Sequence, residues 1–293
     1  MKIVSLLPSA TEILFAIGAG DSVVGVTFEC DFPAEARSRR IVSDTTLTPG
    51  LGPAAIDAEV RARMAAGEDL YTLDEGALRE LDPDVVVTQD LCAVCAVATA
   101  GVDEALAHLG CRAQVVTLDP MTLDEVLDSI AAVGAVSGAV DGAAALLGHL
   151  RRRLRGVADA VAGLPRPRLA LLEWTDPPFC AGHWLPDMVT AAGAEPVLGQ
   201  RGANSRPLTW NDVAAARSDM VIVAPCGYRL DGAADLARQV LAHLPREVPV
   251  WAVDADAAFV RPGPRVIDGV EALAHIAHPE AVSAPPGMVR RIR

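Results

Sequence analysis

The chain has 293 residues, 51% of them hydrophobic but only 4% aromatic, and a formal net charge of −13. That charge excludes a nucleic-acid partner, which needs a basic face for phosphates, and no apolar run reaches the ~20 residues of an integral membrane segment. The length suits two domains, and a core rich in alanine and valine suits helices packed on buried parallel strands.

Taken in chain order, Ile3–Leu7 is a short apolar run that reads as a strand and ends at Pro8. Ser9-Ala10-Thr11-Glu12 fits a capping box, in which the Ser9 hydroxyl accepts from a first-turn amide and Glu12 reaches back. Ile13, Leu14, Phe15 and Ile17 continue at helical spacing until Gly18 and Gly20. With a strand beginning this early, no secretory leader precedes it, which predicts a cytoplasmic chain; a true start upstream of Met1 would make it periplasmic or cell-surface. Further strands are predicted at Val23–Thr27, Val85–Thr88 and Val115–Leu118. Helices fall between them around Ile56–Ala65 and at Asp74–Leu81 and Val102–Leu109, an alternation that predicts a parallel sheet covered on both faces.

Residues 122–164 read as a long helix, with Thr122-Leu123-Asp124-Glu125 as cap and first-turn acids. Gly134, Gly138 and Gly142 are where it would bend or divide, and Pro165-Arg166-Pro167 ends it. Arg151-Arg152-Arg153 with Arg155 reads as a solvated helix face. Alternation then resumes, with strands at Leu169–Glu173, Met220–Ala224 and Val250–Val253 and helices after Pro186, around Trp210–Ala216, at Asp235–Leu244 and at Val266–Ala277. The predicted fold is α/β: two parallel-sheet lobes, 1–120 and 165–293, connected by a single long α-helix over 121–164.

With those elements in place, the chain resembles the solute-binding proteins of ABC importers for cobalamin, ferric siderophores and haem. The resemblance rests on Ile3 to Glu12, on Asp21-Ser22-Val23-Val24-Gly25-Val26-Thr27 and on Leu81-Asp82-Pro83-Asp84-Val85-Val86-Val87. A subgroup identified as cobalamin-binding is closer still. It shares segments like Phe28-Glu29-Cys30-Asp31-Phe32-Pro33, Thr88 to Val97, Ala181 to Met188 and Ala224-Pro225-Cys226-Gly227-Tyr228. The family implies a ligand cleft between the lobes, no catalysis, and an ABC permease as partner if the chain is exported.

Ligands of parallel α/β sheets sit beyond the carboxyl ends of the strands. That rule selects Pro8 and Ser9 after the first strand, Phe28 and Glu29 after the second, and Gln89 after the Val85–Thr88 strand. In the second lobe it selects Trp174, Phe179, His183, Trp184, Trp210 and Tyr228. Large flat side chains are scarce here and gather in these loops, where they could offer apolar area to a macrocycle. Without a leader, the six cysteines read as thiols or ligands and not as disulfides. Cys30, Cys92, Cys95, Cys180 and Cys226, with His183, form a candidate thiolate/imidazole set for zinc, iron or the metal of a bound cofactor. Packing as small buried hydrophobes is the competing reading.

No nucleophile elbow, phosphate-binding loop, dinucleotide glycine pattern or HExxH helix occurs. The leading expectation is a non-catalytic protein that binds a small molecule, a corrinoid such as cobalamin or a related metallated macrocycle. A cysteine/histidine metal-site protein or metal-dependent enzyme on the same scaffold is one alternative. An exported siderophore or haem receptor is the other.

Overall fold

The computed structural model describes residues 1–89, 101–102, 106–107 and 112–293. The chain divides into two compact units, Met1–Pro120 with Leu127–Gly148, and Met121–Val126 with His149–Arg293.

Unit 1 is built on β1 (Ile3–Ser5), β2 (Val23–Thr27), β3 (Arg40–Thr45), β4 (Tyr71–Leu73), β5 (Val85–Thr88) and β6 (Gln114–Thr117), in the order β4-β3-β2-β1-β5-β6. All neighbours run parallel except β4, which pairs antiparallel with β3 at the edge. Helices α1 (Pro8–Ala16), α2 (Pro53–Ala66) and α3 (Glu75–Leu81) connect them. Continuous apolar strands follow from burial on both faces: Ile3, Val4, Val86 and Val87 are all fully enclosed. Asp74 opens α3 by accepting from the Ala77 amide at 2.9 Å, as its position before the apolar run predicts. Strands β3 and β4 went unrecognised in the sequence. Arg40-Ile41-Val42-Ser43-Asp44-Thr45 has just two apolar residues between charged ones, and Ile41 is exposed.

The long helix expected over 122–164 is two helices, α4 (Leu123–Ser137) and α5 (Val140–Val161). Gly138 takes φ +72°, a left-handed conformation that ends α4 without the penalty a Cβ would bring. Ser137 turns its hydroxyl back onto the Val133 carbonyl at 2.7 Å. In α5, a Cβ on Gly142 would stand 2.0 Å from the Ile17 carbonyl oxygen, so the helix approaches the end of α1 where a side chain would not fit.

Unit 2 contains β7 (Arg168–Thr175), β8 (Pro178–Cys180), α6 (Leu185–Ala191), β9 (Glu195–Pro196), α7 (Trp210–Ala215), β10 (Met220–Val223), α8 (Leu230–Val240), β11 (Val250–Val253), α9 (Ala255–Ala258), α10 (Val266–Ala277) and β12 (Val289–Arg291). Its sheet runs β12-β11-β10-β7-β8, with β9 also on β7. The central strands are parallel, and β8 and β12 pair antiparallel at the two ends. Ala170, Leu172, Val221, Val223 and Ala252 face one buried cluster with Ala233 and Ala237 of α8. The small alanines let α8 lie close to the strands. Arg153 of α5 is clamped by Glu271 and Asp268 of α10, at 2.6 Å and 2.5 Å. Hydrogen bonds to those carboxylates raise its pKa, Glu271 contributing most. The arginine run therefore includes a structural residue. Among the described residues no helix is long and apolar enough to cross a membrane.

Candidate functional site

In unit 1 the loops after β1, β2, β3 and β5 leave from one edge of the sheet. The order places β1 between β2 and β5: the chain steps outward from β1 to β4 and then returns to β5 on the other side. Such a reversal is where open α/β sheets take ligands. Pro8 occupies the first position of α1, and its fixed φ suits that place. It displaces the expected capping box. Leu7 is the N-cap, no side chain caps the helix, and Ser9 lies inside the first turn. The Ser9 hydroxyl is buried at 1% exposure and has no hydrogen-bond partner among the described residues.

Its neighbours are bonded. Ser5 donates to the Leu7 carbonyl at 3.0 Å and receives the Thr11 hydroxyl at 2.9 Å. Thr11 lies 3.0 Å from the Cys30 thiol. With the Thr11 proton committed to Ser5, that thiol is the donor. Cys30 is thus a buried member of a hydroxyl network. Gln89, at the end of β5, is buried, while Phe28 and Glu29 are half-buried. The Phe28 ring meets Tyr71 at 6.3 Å. Tyr71 was not among the sequence candidates, although the scarcity of aromatics could have flagged it. Cys92 and Cys95, together with the expected Val102–Leu109 helix in large part, lie outside the described residues.

In unit 2 the β7–β8 hairpin carries Trp174 and Phe179 opposite one another. The Trp174 ring packs edge-on against Tyr228 at 5.9 Å and 61°, and all three side chains are half-buried. Glu173 ties this hairpin together: its side chain accepts the Gly182 amide at 2.5 Å and its carbonyl the Cys226 amide at 3.0 Å. His183 sits in left-handed backbone at φ +51°, a costly conformation for a ring-bearing residue. It is locked by bonds from its amide to the Ala203 carbonyl at 2.7 Å and from the Gly202 amide to its own carbonyl at 3.1 Å. Burial lowers its pKa, against the opposing pull of a hydrogen bond to Asn204.

One other expectation, that Trp184 lines a ligand surface, is corrected here. Trp184 is a core residue, 5% exposed, with its indole N–H bonded to the Phe259 carbonyl at 2.7 Å. Trp210 begins α7 and stacks on His243 at 4.7 Å and 7°, half-buried like Tyr228 beside the same core cluster. Its helix is opened by a capping box of Thr209 and Asp212.

The thiols are dispersed in character. Cys180 is buried in the unit 2 core, and Cys226 is exposed beside Gly227. Among the described residues no group of three or more His, Cys, Asp or Glu could hold a metal ion.

Sequence reasoning also missed a charged cluster beyond β10 and β11. Asp256 pairs with Arg261 at 2.9 Å and lies 3.8 Å from Arg229. Asp254 caps α9 through the Ala257 amide at 3.1 Å, and burial raises its pKa. Isolated charges in loops carry no periodic signal that would announce this.

The family pattern described as periplasmic binding protein matches residues 3–246. The chain belongs to that family. Its members bind ligands and catalyse no reaction. An uncharacterised ABC transporter substrate-binding lipoprotein, YvrC of Bacillus subtilis (strain 168), is 23% identical over 290 residues, covering 95% of this chain and 80% of its own. A periplasmic haem-binding protein from Pseudomonas aeruginosa superposes with TM-score 0.72 at 18% identity, covering 98% of this chain and 96% of the other. The periplasmic vitamin B12-binding protein BtuF of Vibrio cholerae gives TM-score 0.68 at 22% identity, over 94% and 97%. These likenesses bear on fold.

Proposed function

We propose that this periplasmic binding protein takes a corrinoid, or a related metallated macrocycle, as its ligand and delivers it to an ABC permease. The observation that carries the reading is a matched pair of aromatic contacts. At the carboxyl edge of its sheet each unit holds two half-buried rings: Phe28 with Tyr71, and Trp174 with Tyr228. A chain with so few aromatics spends four of them where they are incompletely covered. Burying each ring against a flat ligand would contribute on the order of 2 kcal/mol.

His183 supports the same reading, because desolvation lowers its pKa and so favours the neutral imidazole that can ligate a metal. The vitamin B12- and haem-binding proteins that share the fold supply the ligand class, and the substrate-binding relative supplies the permease. Titrating the purified protein with cyanocobalamin and with haemin, and following absorption bands and calorimetric heat, tests it. Saturable binding at micromolar ligand is expected, weakened at least tenfold by Trp174→Ala. Neither heat nor spectral change with any corrinoid or haem overturns the reading.

A further inference from the structure

In unit 1 the segment between β3 and β4 leaves the sheet and comes back to the same edge. β4 runs antiparallel to β3, and Thr45 at the end of one pairs with Tyr71 at the start of the other. A crossover between parallel strands carries its helix back to the opposite edge. This segment instead projects wholly from the carboxyl edge, and the residue that follows it is Tyr71 of the Phe28–Tyr71 pair. Its root is fixed. The Thr46 amide donates to the Leu70 carbonyl at 2.9 Å, the Thr46 hydroxyl donates to the Asp69 carbonyl at 3.0 Å, and Leu70 is enclosed.

Beyond that root the arm is held together by its own bonds. Glu59 of α2 accepts from the Thr48 amide and hydroxyl at 3.3 Å and 3.2 Å, and from the Arg63 guanidinium at 2.9 Å. The Gly67 and Glu68 amides close the helix on the Met64 and Arg63 carbonyls, with Gly67 at φ +71°, a conformation glycine adopts without strain. Arg61 pairs with Asp57 at 2.9 Å, and Arg63 also lies 3.8 Å from Glu68. Among the described residues, the arm's charged side chains therefore bond only within it. Residues 48–68 form one body, which the chain joins to the root through Leu47 and the Glu68–Asp69 peptide.

That body has little to rest on. None of the 14 residues of α2 is buried, whereas α1 buries all but two of its nine. The cluster of Val42, Ala77 and Leu78 takes Tyr71 and Leu73 of β4 against it but no residue of α2. Yet α2 is not polar all round. Ile56 and Val60 stand one turn apart on one face, both half-buried, with Met64 a turn further on at 52% exposure. Apolar side chains covered only in part forgo much of what full burial contributes. A segment with so few buried contacts opens without unfolding the rest of the domain.

We propose that residues 48–68 are a lid. The body swings about Leu47 and the Glu68–Asp69 link and closes on a ligand seated on the Phe28–Tyr71 pair, with Ile56 and Val60 as its inner face. This rests on the reading of that pair as a surface for a macrocycle. A flat ligand gains cover on its second face, and the aliphatic stripe gains the cover that the chain itself leaves incomplete.

Hydroxyl-radical footprinting of the wild-type protein, read residue by residue, tests the lid. Without ligand, Ile56 should be oxidised within about threefold of the rate of Ile41, and Val60 within about threefold of Val140, both far faster than enclosed Ile13. Saturating cyanocobalamin or haemin should slow Ile56 and Val60 by about fivefold or more and leave Ile41 and Val140 unchanged. The double variant Ile56→Ala, Val60→Ala keeps good helix formers. It should unfold at the wild-type denaturant concentration and release the ligand about tenfold faster.

Oxidation of Ile56 and Val60 as slow as that of Ile13 overturns the lid, whether or not a macrocycle binds. Saturable binding that leaves them unprotected, or release from the double variant at the wild-type rate, overturns the lid and spares the ligand reading. If neither macrocycle binds, the ligand reading falls, and fast oxidation of Ile56 and Val60 still supports an arm that opens. Protection that grows with protein concentration alone would make this face an interface between copies, and that too overturns the lid.

Discussion

The carboxyl edges of the two sheets are built from different chemistry. In unit 1 the edge around β1 is made of short neutral groups, Ser5, Ser9, Thr11 and the Cys30 thiol, fixed by bonds of about 3 Å, with one hydroxyl left over. In unit 2 the edge is made of large and charged groups, Trp174, Tyr228, His183, Asp254 and the Asp256–Arg261 pair, each pinned to a neighbour. The contrast separates two ways of building the carboxyl edge of a sheet. Unit 2 has half-buried rings and an imidazole whose pKa burial lowers, on a backbone held by the Ala203 carbonyl and the Gly202 amide. Unit 1 has a hydroxyl with no partner among the described residues, on a turn held by hydrogen bonds.

The largest effect is expected where that contrast is easiest to misread. Trp174 and Trp184 lie ten residues apart, Trp174 near the end of β7 and Trp184 just before α6, but only Trp174 is half-buried. Trp184→Ala should cost about 3–5 kcal/mol of folding stability, as truncation of an enclosed tryptophan does, and also strands the Phe259 carbonyl. Trp174→Ala should leave the unfolding midpoint within about 1 kcal/mol of wild type and act on ligand affinity. Denaturant unfolding of both variants checks this. Equal destabilisation would mean the unit 2 edge is core and not a surface for ligand.

That pair also marks how far the sequence could be read. Periodicity located β2, β5, β11 and α10 to the residue, because apolar runs bounded by turns have no other good use. The strand-end rule picked out loops that do leave the carboxyl ends of the parallel strands. What it could not separate is a tryptophan facing inward from one facing outward, since both satisfy the same local pattern. The capping box failed for a related reason. Ser9-x-x-Glu12 is a valid signal, but Pro8 is a stronger first-turn residue and starts the helix earlier, turning a cap into an orphan. The division at Gly138 depended on backbone conformation that glycine permits but does not announce.

A smaller effect sharpens the picture inside unit 1. Thr11→Val removes the acceptor of the Cys30 thiol and one bond to Ser5, and should destabilise by about 1–2 kcal/mol. Against the neutral or stabilising effect expected of Ser9→Ala two residues earlier, which removes a buried hydroxyl with no partner among the described residues, the sign reverses. Were both variants equally destabilising, Ser9 would belong to the same network and the edge would hold no spare donor.

The smallest effect concerns pH and belongs to unit 2. The folded pKa of His183 is lowered because burial disfavours the imidazolium, so in the acid range the unfolded chain binds the extra proton more readily than the folded one. Its contribution therefore favours folding above the unfolded value of about 6.5 and is lost as pH falls below it. Asp254 works in the opposite sense. Burial raises its pKa, so the folded state holds its proton more tightly, and stability is lost as pH rises from the unfolded value of about 3.9 through the folded one. His183→Asn preserves the left-handed backbone, which asparagine tolerates, and should lose less stability than wild type between pH 7 and pH 5. Asp254→Asn keeps the cap and should gain on wild type as pH rises from about 4. The Thr11→Val penalty, which involves hydroxyls and a protonated thiol, should be the same at pH 7 and pH 5. Denaturant midpoints across that range decide the matter, and a His183→Asn curve parallel to wild type would show that the imidazole is not desolvated and that the unit 2 edge is as neutral in its response as unit 1.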